Sequence, residues 1–144
     1  MKLNKDFHPQ MAAVRAQLNC DFAIISHIVG EDYTVIAVDG VLDTVKQGDL
    51  FEVQNTYCHA VVEGGDTITY NEVGKIKAMV LHPIYTAMQL EAYIGEPLQK
   101  NGKVVGTLNF SGFGPKLPPF QEADIALVRS LAREVEAAIE PNSV

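Results

Sequence analysis

The sequence predicts one α+β domain built on an antiparallel β-sheet. Its length of 144 residues is that of an ordinary single domain. Amphipathic helical patterns lie near both ends of the chain, and strand-like runs occur as adjacent pairs joined by turn sequences. No linker, charge run or internal repeat divides the chain, so we expect a single domain over residues 1–144.

The first elements are a helix and a hairpin. Pro9 and the apolar spacing that follows it predict an amphipathic helix over about residues 8–19. Two runs rich in Ile, Val, Tyr and Phe come next, Phe22–Val29 and Tyr33–Val38, on either side of a turn sequence that begins at Gly30. This pattern predicts an antiparallel hairpin.

The middle of the chain predicts short elements. A polar loop passes through Gly40, and Asn55–Glu63 then begins with capping residues and stops at Gly64, which indicates a short helix. We expect a short strand at Thr67–Tyr70. A second short helix is predicted over Pro83–Leu90, because the fixed φ of proline suits a first helical turn.

The C-terminal part carries the clearest local signals. The pair Asn101–Gly102 separates two strand-like runs, Glu91–Leu98 and Lys103–Ser111, and predicts a second hairpin with a two-residue turn. A broad apolar stripe then predicts a long helix over about residues 121–139, ended by Pro141. The stripe consists of Ile125, Val128, Leu131, Ala132, Val135 and Ile139.

Charge and composition exclude several classes of function. The net charge is -7, and the 11 basic residues form no block, which argues against broad binding to nucleic acid or to an anionic membrane. No apolar run approaches the length of a membrane span and the N-terminus lacks a signal peptide, so a cytoplasmic protein is expected. Two cysteines and four histidines without ligand spacing predict neither a disulfide framework nor a metal site.

The C-terminal half carries a recognisable series of motifs. They are a strand that ends in glycine, any residue and Pro-Leu, a hairpin, a Gly-Thr-Leu strand, and a final helix led by Pro-Phe. The residues involved are Ala92–Leu98, Asn101–Phe110, Pro119, Phe120 and Asp124. This series resembles the C-terminal half of a GAF domain, with Gln121 in place of the family's usual Ser. The resemblance implies a GAF/PAS-like central antiparallel sheet of five or six strands, with the terminal helices on one face and short helices and a ligand pocket on the other.

The predicted two-residue turn sets a register for the central hairpin. Lys100 then faces Lys103, and the pairing continues in step along both strands. One face carries Val104, Leu108, Phe110 and Tyr93, with Gly95 and Gly106 allowing a helix to approach closely. The other carries Ile94, Glu96, Thr107 and Asn109. The mixed second face is the candidate pocket floor; alternatively, Glu96 lies in water near a strand end and Asn109 caps a loop.

The resemblance also suggests which side chains wall the pocket. We expect a wall of Tyr57, Tyr70, His82, Tyr85 and Met88 over a floor of Ile94, Thr107 and Asn109. Some GAF domains attach a linear tetrapyrrole through the cysteine of a Cys-His-Pro sequence. Here Leu81 takes the place of that cysteine and has no nucleophile, so no covalent bilin is expected and the ligand stays unassigned.

The leading functional hypothesis is a stand-alone sensory or regulatory GAF domain that binds a small organic ligand and is not an enzyme. An alternative is a small thiol redox enzyme of the GAF-type methionine sulfoxide reductase kind, with Cys58 as nucleophile and Cys20 as resolving thiol. Against it, no cysteine lies between Asn71 and Gly95, where that resemblance needs one, and Cys58 is expected to be buried and slow to react.

A third hypothesis is a pure dimerisation module with no ligand. The final helix has apolar residues over more of its circumference than one sheet-facing stripe requires, and the first helix adds others beside it. A homodimer through the N- and C-terminal helices is therefore expected, with a further signalling protein as a possible partner.

Overall fold

The protein has a six-stranded antiparallel sheet with helices on both faces, in a computed structural model that describes residues 1–144. The strand order is β3-β2-β1-β6-β5-β4. The helices and strands are α1 (His8–Leu18), β1 (Phe22–Val29), β2 (Asp32–Gly40), β3 (Leu50–Glu52), α2 (Cys58–Gly64), β4 (Ile68–Tyr70), α3 (Pro83–Met88), β5 (Ala92–Lys100), β6 (Lys103–Gly112) and α4 (Glu122–Ala137). The α+β prediction is confirmed.

The sheet separates two hydrophobic cores. The larger core lies under the terminal helices α1 and α4 and is centred on Met11, Leu108, Phe110 and Val128. The smaller core lies on the opposite face, under α2 and α3, and includes Tyr57. Alternate residues of β1 enter opposite cores, as the two-residue period of a strand requires.

One strand is absent from the sequence prediction. Leu50–Glu52 forms β3 at the edge of the sheet, where Phe51 pairs with Tyr33 of β2. All three residues are exposed. The alternation of buried and exposed positions that predicts a half-buried strand is therefore missing here. Pairing with β2, rather than a local pattern, makes this segment a strand.

The central hairpin contains a β-bulge that corrects the predicted register. Asn101 and Gly102 adopt positive φ angles of 54° and 77°, as a two-residue turn requires. Gln99 pairs with Val104, but Leu98 then pairs with Gly106, so Val105 has no partner. The predicted pairs beyond this point are wrong by one residue, because a bulge adds a residue to one strand only.

The shift changes which face each side chain of β5 occupies. Ile94 and Glu96 lie on the side of the terminal helices, whereas Tyr93 lies on the pocket side. The faces assigned to Ile94, Glu96, Tyr93 and Gly95 from the sequence are therefore wrong. Strand β6 keeps its predicted faces after the bulge, since Thr107 and Asn109 lie opposite the terminal helices. Before it the prediction is wrong, because Val105 and not Val104 joins Leu108 and Phe110 in the core under those helices.

The final helix buries most of its apolar stripe within the chain itself. Leu131 is only 3% exposed and packs in the core under α1 and α4. Leu127 and Ile125 are half-buried beside the same core. The apolar surplus that predicts a homodimer is therefore smaller than the sequence suggests. None of the helices has the length and apolar character needed to cross a membrane.

Candidate ligand pocket

A cavity of about 140 Å³ lies between the sheet and the two short helices. Strands β1, β2, β5 and β6 form its floor, while α2, α3 and the segment that contains β3 form its walls. Most of its lining is apolar. The lining residues are Phe22, Ile24, Tyr33, Leu42, Val45, Phe51, Glu52, Asn55, Thr56, Tyr57, Cys58, Ile84, Met88, Leu90, Tyr93, Asn109 and Ser111.

The Cys58 sulfur is the centre of a polar cluster on the pocket floor. The Tyr93 hydroxyl donates a hydrogen bond to Sγ over 3.1 Å, and Asn109 Nδ2 donates another over 3.4 Å. Thr107 Oγ1 lies 3.3 Å from Sγ and 2.6 Å from Ser26 Oγ. These contacts join α2 to strands β5, β6 and β1 at the middle of the sheet.

The cluster is neutral at ordinary pH. Burial raises the pKa of the Cys58 thiol, with the hydrogen bonds from Thr107 and Tyr93 acting in the opposite direction. Burial also raises the pKa of the Tyr33 and Tyr93 hydroxyls well above the usual value. Because the thiol is the less nucleophilic form, this environment disfavours reactivity at Cys58.

Gly95 allows the Tyr93 ring to reach the cluster. A Cβ atom built on Gly95 would overlap the Tyr93 hydroxyl and ring. The absent side chain therefore leaves the space in which the ring lies along the sheet towards Cys58. The prediction that Gly106 allows a helix to approach is wrong, since a Cβ there would overlap the backbone oxygen of Ser26 on the neighbouring strand β1.

Most of the residues predicted for the walls and floor of the pocket lie in two layers. Tyr57, Met88 and Asn109 line the cavity directly. Tyr70 packs edge-on against Tyr57, with their ring centroids 5.4 Å apart, and His82 packs on the same ring from 4.9 Å. The Tyr57 hydroxyl donates to the Leu90 backbone oxygen, which fixes the ring between these layers.

The remaining predicted residues lie elsewhere. Thr107 is beneath the cavity, behind Cys58. The Tyr85 hydroxyl donates to Glu91 over 3.4 Å, outside the lining. Ile94 is not part of the floor: it lies in the core under the terminal helices, because the bulge in β6 shifts the phase of β5. Leu81 is fully exposed to solvent and away from the cavity.

Sequence reasoning missed the contribution of β1, β2 and the loop after β2. Phe22 and Ile24 alternate with residues of the other core, so their period-2 spacing was the available signal. Tyr33 occupies the equivalent face of β2. Leu42 and Val45 come from the loop before β3, and nothing in their local sequence indicates that they fold over the sheet.

The two cysteines occupy different cores. Cys58 lies in the core on the pocket face, whereas Cys20 lies under the terminal helices on the other side of the sheet. Both are free thiols. Burial raises the pKa of the Cys20 thiol to about 11. This arrangement gives no support to the predicted pair of attacking and resolving thiols.

Glu96 connects the pocket side of the chain to the final helix. Its carboxylate is 4% exposed and accepts a hydrogen bond of 2.5 Å from Thr67, in the segment that leads from α2 to β4. Nη2 of Arg133, on α4, lies 3.0 Å from the second carboxylate oxygen. Arg129, one turn earlier, bonds both Thr67 and Asp66. A buried charge therefore joins the end of α2 to α4.

The architecture is that of a GAF or PAS-like domain: an antiparallel sheet, terminal helices on one face and a pocket under short helices on the other. The chain belongs to the GAF domain family, whose model matches residues 3–139. The resemblance identified from the sequence is confirmed.

One relative is a transcription regulator. The chain is 22% identical over 129 residues to the anaerobic nitric oxide reductase transcription regulator NorR of Aeromonas hydrophila. The match covers 88% of this chain and 25% of the regulator, so the chain spans about a quarter of that relative's length. The similarity associates this sequence with a regulatory protein.

Solved structures of other GAF-type proteins are similar in fold. The GAF domain of the Acinetobacter phosphoenolpyruvate-protein phosphotransferase has a TM-score of 0.72 at 14% identity, over 92% of this chain and 78% of that chain. The type II free methionine-R-sulfoxide reductase of Thermoplasma acidophilum has a TM-score of 0.70 at 14% identity, over 92% of this chain and 88% of that chain. At such identities the likeness shows the fold alone.

Proposed function

We propose that this chain is a sensory domain that binds a small organic molecule in the cavity over the sheet and reports its presence through the terminal helices. The observation that carries this proposal is the cavity itself, which has apolar walls and a neutral polar floor. Small-molecule sites in proteins combine an apolar lining with a few fixed polar groups in this way.

The Glu96 contacts support a route from the pocket to α4. Cys58 begins α2 and lines the cavity, and Asp66 and Thr67 follow the end of the same helix. A ligand that displaces α2 would also displace Thr67, which bonds both Glu96 and Arg129. Since α4 holds this cluster through two arginines, its position depends on the position of α2.

The proposal assigns no catalytic role to the chain. The alternative of a thiol reductase requires two cysteines that meet, and the sheet lies between Cys20 and Cys58. A homodimer through the N- and C-terminal helices remains part of the proposal, with the half-buried Leu127 and Ile125 as its available apolar contacts. Binding of a second, signalling protein at the same helices is the other way in which the domain would report its ligand.

A ligand screen with a blocking variant tests the proposal. A library of small metabolites is screened by thermal shift, and hits are confirmed by calorimetry. Ile84→Phe adds volume to the cavity wall and should abolish binding, whereas Ile84→Leu, which keeps the volume, should retain it. Hydrogen exchange of α4 amides is then compared with and without ligand.

Two results support the sensor: a hit sensitive to Ile84→Phe, and altered exchange in α4 when that ligand binds. If no compound of a broad library binds, and if Ile84→Phe behaves like the wild type in every assay, the pure dimerisation module is favoured. Sulfoxide reduction that is lost in Cys58→Ser would instead favour the enzyme.

A further inference from the structure

Two buried residues of β6 each have a side-chain oxygen that faces the cavity and has no hydrogen-bond partner in the protein. Asn109 and Ser111 are only 3% and 2% exposed. Asn109 Nδ2 lies 3.2–3.4 Å from three acceptors, on Tyr33, Cys58 and Thr107, which share its two hydrogens, while Oδ1 has no donor. The Ser111 hydroxyl makes no side-chain hydrogen bond. Neither oxygen belongs to the fully enclosed unpaired polar atoms of the protein, among which only Gln10 Oε1 is found, and since both residues line the cavity, both oxygens are accessible from it.

These two groups indicate the polar end of a ligand. A polar atom that opens into a cavity and has no partner in the protein is available to a ligand group, and a ligand that covered it without bonding it would incur its desolvation cost. The positions are i and i+2 on one strand, so the two side chains point the same way and lie next to each other. One ligand group that both donates and accepts, such as a hydroxyl, satisfies both.

The volume limits the ligand to a single ring. At about 140 Å³, the cavity is smaller than the roughly 300–1,000 Å³ of drug-sized sites. It is close to the engineered apolar cavity of about 150 Å³ that holds one benzene molecule. A nucleotide or a linear tetrapyrrole is too large for the cavity in this conformation.

The walls favour an aromatic body. Five of the eleven Phe and Tyr residues of the chain line this one cavity. Rings packed edge to face gain attraction beyond that of buried area alone, and Met88 adds a polarisable sulfur. The five lining aromatic residues are Phe22, Tyr33, Phe51, Tyr57 and Tyr93.

The charge of the cavity lining excludes an anionic ligand. No Lys, Arg or His lines the cavity, and its single charged side chain is the carboxylate of Glu52. The chain as a whole carries a formal charge of -7. A carboxylate or phosphate would therefore be buried without a counter-charge, which is strongly unfavourable.

We infer that the pocket binds a neutral, single-ring aromatic alcohol of the phenol class, with its hydroxyl donating to Asn109 Oδ1 and accepting from the Ser111 hydroxyl. The ring lies among the aromatic walls. This inference rests on the proposed sensory function and names the chemistry of its ligand.

Four ring compounds test the chemistry: phenol, benzene, cyclohexanol and benzoate, each titrated into the full chain by calorimetry. Phenol should bind about three- to tenfold more tightly than benzene, the ratio that one or two net hydrogen bonds provide. Cyclohexanol should bind more weakly than phenol, and benzoate should not bind.

Ser111→Ala provides a clean variant, because Ser111 Oγ has no protein partner to lose. It should reduce phenol affinity by about twofold to tenfold and leave benzene affinity unchanged. Ser130→Ala, at an exposed position on α4, is the matched control and should change neither. Equal affinity for phenol and benzene, or a Ser111→Ala variant with unaltered phenol binding, would overturn the inference.

The remaining outcomes separate the inference from the function on which it rests. Binding of benzoate or of cyclohexanol as tightly as phenol would refute the neutral aromatic class. If none of the four binds while another library compound binds in a manner sensitive to Ile84→Phe, the inference is wrong and the sensory function stands. If no compound of any class binds, both are wrong.

Discussion

Removing Arg133 should destabilise the protein more than removing Glu96, although the two side chains form one ion pair. The Glu96 carboxylate is 4% exposed, whereas the Arg133 side chain is 53% exposed. Arg133→Met leaves a buried carboxylate oxygen without its donor at 3.0 Å and also removes the hydrogen bond to the Pro97 backbone oxygen. Leaving a buried charged group incompletely paired costs about 2 kcal/mol or more.

Glu96→Met has a smaller cost, because both arginines can return to water and a methionine suits a buried site. Replacement of a buried ion pair by apolar groups is often close to neutral, so we expect a loss below about 1 kcal/mol. The double variant Glu96→Met with Arg133→Met should resemble Glu96→Met alone, and not the sum of the two single variants.

Urea denaturation followed by far-ultraviolet circular dichroism measures these differences. In a thermal melt, the same loss of about 2 kcal/mol in the free energy of unfolding lowers the melting temperature by roughly 4–8 °C for a domain of this size. Arg129→Met is the control: its Nε lies 3.6 Å from Glu96 and its side chain is 49% exposed, so the expected loss is under about 1 kcal/mol. A Glu96→Met variant less stable than Arg133→Met would refute the argument.

Four further predictions concern the thiols and the final helix. Cys58 and Cys20 should label slowly at neutral pH in the native state and at once in urea. Burial raises the Cys20 pKa from 9.0 to about 11, so between these pH values the thiol ionises in the unfolded chain and stays protonated in the folded one. The free energy of unfolding should therefore fall as the pH rises from 9 to 11, and it should fall less steeply in Cys20→Ala. Leu131→Ala should cost about 2–5 kcal/mol in urea denaturation as a core truncation. Light scattering should give twice the mass of 15.7 kDa, reduced to one chain by Leu127→Lys; a monomeric wild type would refute the dimer.

Features that depend on neighbouring residues were predictable from the sequence. The Asn101–Gly102 turn forms because only such residues adopt two successive positive φ angles easily. The helices α1 and α4 follow from apolar residues spaced three and four apart, and their bounds agree with prediction to within two residues. The same local signals carried the family resemblance, and with it the order of the elements.

The faces of β5 could not be predicted in this way. The bulge at Val105 depends on how β6 packs between two strands, and nothing in the hairpin sequence specifies it. One extra residue reverses every side chain relative to the partner strand. For this reason Ile94 belongs to the core under the terminal helices, and Tyr93 takes the place at the pocket that the simple register gave to Ile94.

The sequence by itself determined the class of fold, the turn and helix positions and the presence of Thr107 and Asn109 on the pocket face. Only the tertiary structure brought Cys58, Tyr93 and Asn109 into one cluster and placed Glu96 against α4. Turns and helices are set by backbone preferences of adjacent residues, whereas these contacts join positions 35 or more residues apart in the chain. Their partners are decided by the pairing and packing of the whole sheet.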